Sequence, residues 1–106
     1  MEVSKKDWQL FKEKLPGWQE KYMEKLIAEY TELLIGKEAA SEKFWALEKK
    51  IRNDKKSAGV IVEVRKTEMF MNIISLLNDG AITMDDLLDF SDDFQELVRR
   101  FNGIRE

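Results

Sequence analysis

The stretch Thr67 to Phe90, TEMFMNIISLLNDGAITMDDLLDF, constrains this chain more than any other. In its helical half, Met69, Phe70, Met71, Ile73, Ile74, Leu76 and Leu77 are apolar. Glu68, Asn72, Ser75 and Asp79 alone form a polar line, at spacings of four, three and four. A helix with so narrow a wet stripe belongs in the middle of a fold. The other helical segments each pair one apolar face with one charged face, so they are expected to pack around it. The expectation is an all-α fold, a single helical domain over residues 1–106, with about five helices, two of them short, around a central helix at 67–78.

Local signals place the remaining elements. Ser4 to Asp7 reads as a capping box, with Val3 and Trp8 as its hydrophobic staple, so a first helix begins at Lys5. Trp8, Phe11 and Leu15 continue its inner face, and Pro16 followed by Gly17 is expected to end it. A second helix covers about 17–35, with Gly36 as a left-handed stop. A third starts near Ser41 and presents Phe44, Leu47 and Ile51 inward, with Trp45 alongside. Val60 to Val64 is the chain's β-branched run, and no second strand candidate exists to pair with it. Three readings stand open: an extended connector packed on the core, which is favoured, an edge pairing with its copy in a dimer, or a first turn of the central helix. Thr67 caps that helix and Asn78-Asp79-Gly80 stops it. Thr83 to Asp86 is a second capping box opening a short helix at 84–89, and Ser91 caps a last helix that Gly103 follows.

Chemistry is sparse. The 106 residues hold no His and no Cys, which removes the usual general base at neutral pH, the thiol nucleophile and the ordinary zinc ligands. No phosphate-binding glycine motif or nucleophile elbow occurs, so no catalytic residue, cofactor or metal is expected. Asn78 to Leu87 matches the exit half of an EF-hand. The entry half fails, since Ser75 and Leu77 stand where calcium needs carboxylates. Helix capping explains the same residues without metal.

Charge is uneven. Residues 1–66 hold 15 basic and 12 acidic side chains, whereas residues 67–106 hold 3 basic and 9 acidic ones. The basic candidates for a partner surface are Lys49, Lys50, Arg52, Lys55 and Lys56. They do not share one helix face and Asp54 interrupts them, so nucleic-acid binding is disfavoured and a solvated face expected. Trp18 and Trp45 fit their apolar stripes least well and join them as candidate partner residues. No signal-peptide apolar region opens the sequence, and no apolar run approaches the roughly 20 residues of a membrane span.

With Lys43-Phe44-Trp45-Ala46-Leu47-Glu48, Asp54-Lys55-Lys56, Gly59-Val60, Leu76-Leu77-Asn78-Asp79-Gly80 and Phe90-Ser91-Asp92, most of the chain resembles a small uncharacterised family of Gram-positive bacterial proteins. Its members are sometimes labelled multidrug transporters, a label the hydropathy argues against. The resemblance implies a bacterial cytoplasmic protein and brings no catalytic residues. The leading expectation is a small cytoplasmic protein–protein interaction or regulatory module whose partner the sequence does not name, with a homodimer among the forms it takes. A nucleic-acid-associated protein using the basic end of the third helix comes second, and a carboxylate enzyme third. An exposed apolar patch favours the first reading, a continuous basic face the second, and a carboxylate-lined pocket the third.

Overall fold

Met69, Ile73, Ile74 and Leu76 are completely shielded from solvent, which places the apolar helix at the centre of the fold. A computed structural model describes residues 2–105, with side chains described through Gly103. It contains four α-helices, α1 (Lys5–Leu34), α2 (Ala40–Asp54), α3 (Met69–Asn78) and α4 (Asp92–Arg105), and two 3-10 turns at Lys66–Glu68 and Met84–Leu87. No strand occurs among the described residues. The all-α class therefore stands, with four helices where about five were expected.

The count differs mainly because Pro16 does not end α1. The helix runs 30 residues with the proline inside it. Proline removes the hydrogen bond to the carbonyl four residues back, here that of Lys12, and interior proline costs about 3 kcal/mol. Lys12 and Pro16 both lie on the exposed side, so the freed carbonyl sits on the watered side. On the opposite side Phe11 and Leu15 are buried, and Trp8 and Trp18 pack on the same core. Fully burying one large apolar side chain contributes about 1.5–3 kcal/mol, so an uninterrupted stripe offsets the proline.

Ser4 Oγ accepts from the Asp7 amide at 3.0 Å, as a capping box requires. The Asp7 carboxylate does not turn back to Ser4. It reaches across the fold and accepts from the Ser91 amide at 2.9 Å and the Ser91 hydroxyl at 2.6 Å. Ser91 Oγ in turn accepts from the Phe94 amide at 3.3 Å, capping α4. One buried carboxylate thus joins the N-termini of α1 and α4.

α3 begins at Met69, after a 3-10 turn, with no side-chain cap from Thr67. Its end follows the sequence. Gly80 has φ +76°, its amide donates to the Leu77 carbonyl at 3.1 Å, and the Ala81 amide donates to the Leu76 carbonyl at 2.9 Å. These are the two bonds of a Schellman stop, which needs a left-handed residue at that point. Beyond it the Asp86 carboxylate accepts from the Thr83 amide at 2.8 Å, and the expected short helix is a 3-10 turn ending at Leu87. Gly36 is not left-handed; the Ile35 amide closes α1 on the Thr31 carbonyl. α4 runs through Gly103 to Arg105 rather than stopping before it.

Val60 to Val64 is a connector. Val62 packs on the core while Ile61 and Val64 face solvent. The turn before it pins the α1/α2 hairpin to the core. Asp79 accepts from the Ser57 hydroxyl at 3.0 Å and the Ala58 amide at 2.9 Å, and Gln19 donates to the Ala58 carbonyl at 3.0 Å. Gly59 lies against the Tyr22 ring, where a methyl group would overlap it.

Past this point the hairpin stands clear of the core. The molecule measures 52 × 28 × 21 Å, with a radius of gyration of 16.5 Å. A compact domain of this length has a radius of about 13 Å.

Candidate interaction surface

α2 buries none of its residues, which overturns the expectation that Phe44 and Ile51 point into the core. Phe44 is 63% exposed, Trp45 64% and Ile51 39%. The periodicity of Phe44, Leu47 and Ile51 is that of an inner face, and among the described residues the helix that α2 packs against is α1. Two open concavities lie along this surface. One, about 320 Å³, is lined by Phe44, Leu47, Glu48, Ile51, Arg52 and Lys55. The other, about 190 Å³, lies between the helices and includes Ile27 and Tyr30 of α1 with Ile51 of α2 and Lys55 just past its end. Ile51 and Lys55 belong to both, so the apolar surface is continuous from α2 onto α1. Leu34 and Ile35 extend the exposed apolar surface to the tip.

Polar contacts fix how the two helices lie together. The Tyr30 hydroxyl donates to the Asp54 carboxylate at 2.5 Å, and Lys50 pairs with Glu29 at 3.5 Å. The Tyr30 phenol is pushed up to about 12, first by burial and then by its hydrogen bond to Asp54 and that carboxylate's charge. Arg52 holds Glu48 through two hydrogen bonds on the solvent side of α2. Those bonds keep the Glu48 carboxyl below its usual range and the Arg52 guanidinium above its own.

The candidate partner residues separate accordingly. Trp18 is a core residue, stacked on Phe90 and edge-on to Phe11. Trp45 stays at the surface, edge-on to Phe44 at 5.0 Å between ring centroids. Lys50 and Arg52 are paired with Glu29 and Glu48. Lys49, Lys55 and Lys56 are exposed, but Lys56 lines a different, polar hollow with Asn72 and Ser75. The basic run is therefore dispersed over the hairpin and its exit, not gathered on one face. Phe44, Ile51 and Ile27 carry the surface instead. The signal for them was an apolar heptad spacing on helices with too few neighbours in the chain to cover both sides.

Among the described residues no group of three acidic side chains is placed to hold a metal ion, and no helix is long and apolar enough to cross a membrane. No protein-family model, curated protein or solved structure matches the chain.

Proposed function

We propose that the chain is a cytoplasmic protein–protein interaction module whose docking surface is the apolar side of the α1/α2 hairpin. One observation carries this reading: α2 contributes nothing to the core, yet presents Phe44, Trp45 and Ile51 to solvent. Exposed aromatic and aliphatic side chains on a polar-rimmed face are what protein interfaces are built from. The second reading, nucleic-acid association, is weakened by the pairing of Lys50 and Arg52 with carboxylates of the same hairpin.

The test is site-specific photocrosslinking in the native cytoplasm. A benzoyl-phenylalanine at position 44 is expected to form discrete protein adducts, and the same probe at exposed Lys21 is expected to form none. Equal labelling at both sites, or none at either, overturns the reading.

A further inference from the structure

We infer that the occupant of this face is a second copy of the chain, docked hairpin on hairpin with α1 of each copy laid over α2 of the other; the inference rests on the interaction reading above.

The first ground is area. A monomeric protein of 12.5 kDa is expected to expose about 6,200 Å². This chain exposes 7385 Å². The surplus, roughly 1,200 Å², exceeds the roughly 800 Å² that each partner contributes to a standard stable interface. It belongs with a protruding hairpin whose second helix buries nothing.

The second ground is pattern. Ile27 and Leu34 are seven apart on α1, and Phe44 and Ile51 are seven apart on α2, so each pair lies along one line of its helix. Ile27 and Ile51 line the same groove, and the helices run antiparallel, so Leu34 comes level with Phe44. Two parallel apolar lines on adjacent helices are half of a four-helix bundle. A second identical hairpin completes it.

The third ground is charge, which selects the arrangement. Residues 17–34 of α1 carry Glu20, Glu24, Glu29 and Glu32 against Lys21 and Lys25, whereas residues 40–56 carry six basic and three acidic side chains. Glu20 stands seven residues before Ile27, on the same line, and Glu24 stands three before it, at the line's edge. Neither forms an ion pair within the described residues, and Lys55, at the other edge beside Ile51, forms no ion pair either and acts on its own hairpin's Glu48 only at longer range. Laying α1 over the other copy's α2 brings the unpaired carboxylates of one copy against the Lys55 ammonium at the end of the other copy's α2. Laying α1 on α1 would oppose like charges, which suppresses that register.

The experiment is analytical ultracentrifugation of the purified chain from micromolar to submillimolar concentration. A species of twice 12.5 kDa is expected. Ile51→Glu, at a position already open to solvent, is expected to keep the helical circular dichroism and to weaken the dimer at least about tenfold. Glu24→Lys and Lys55→Glu are each expected to weaken it as well, and the double reversal to restore it. A 12.5 kDa species at every concentration overturns the second-copy inference, as does a dimer indifferent to Ile51→Glu. If the purified chain is monomeric while the probe at position 44 still captures a protein of another mass, the interaction reading survives and the self-pairing falls. If neither occurs, both fall.

Discussion

Asp7 shows how much a single position can carry beyond what its neighbours in sequence announce. Its place three residues after Ser4 marks it as half of a capping box, and the Ser4 half forms. The carboxylate goes instead to Ser91, 84 residues away, because burial makes an acceptor of two hydrogen bonds more valuable there than at a solvated helix end. No local signal contains that partnership. Asp7→Ala should therefore cost about 2 kcal/mol in urea denaturation, more than an ordinary surface cap, since it strips acceptors from both the Ser91 amide and hydroxyl. A loss no larger than that of Ser4→Ala would show the cross-fold link to be idle. Tyr30 makes the second residue-scale case. Its phenol titrates near 12, above the ordinary 10.0, because burial and the Asp54 carboxylate disfavour the phenolate. The folded chain then holds this proton more tightly than the unfolded chain. The stabilising contribution is intact below about pH 10 and is lost as pH rises toward 12. Asp54→Asn should bring the tyrosinate absorbance transition of Tyr30 down toward 10.0, and an unmoved transition would remove Asp54 from the explanation.

At the scale of elements, the helices themselves were legible and their junctions were less so. The stop of α3 was readable because Asn78-Asp79-Gly80 must be left-handed at Gly80, a requirement that no tertiary contact overrides. The Pro16-Gly17 junction misled because proline's effect is local, whereas the deciding term is the continuity of a stripe. Trp8, Phe11, Leu15, Trp18, Tyr22 and Leu26 recur at three, four, three, four and four, and that unbroken rhythm across the proline was the available signal. The inward face of α2 was correctly periodic, but periodicity tells which side is apolar and not what covers it. Because α1 is continuous, Pro16→Ala should restore the hydrogen bond to Lys12 and stabilise the chain by about 2 kcal/mol, somewhat less than the full proline cost because the unfolded chain also gains freedom. Urea midpoints of the two proteins at equal concentration measure it. A destabilised variant would mean that α1 needs a bend at this point to lay both of its halves against their neighbours.

For the molecule as a whole, the division between core and hairpin sets how stability is distributed. The core gathers the fully buried residues of α3 together with Phe11, Leu87 and Val98, whereas α2 buries none. Opening α3 exposes the centre of the fold and costs the full unfolding free energy. Opening α2 in a lone chain breaks its own hydrogen bonds, the Tyr30–Asp54 and Lys50–Glu29 links and little apolar contact. Covering the face with a second copy raises both costs by the same mass-action term, because neither opening can occur until the protomer dissociates, so α2 stays the cheaper of the two to open. Amide hydrogen exchange separates the two. The amides of both helices should exchange faster as the protein is diluted, those of α2 always ahead of those of α3. In Ile51→Glu, α2 should exchange fast at every concentration and α3 should remain slow. Were α2 as protected as α3 in that monomeric variant, the hairpin would be stable without a cover, and its exposed apolar line would lose its energetic reason to be paired.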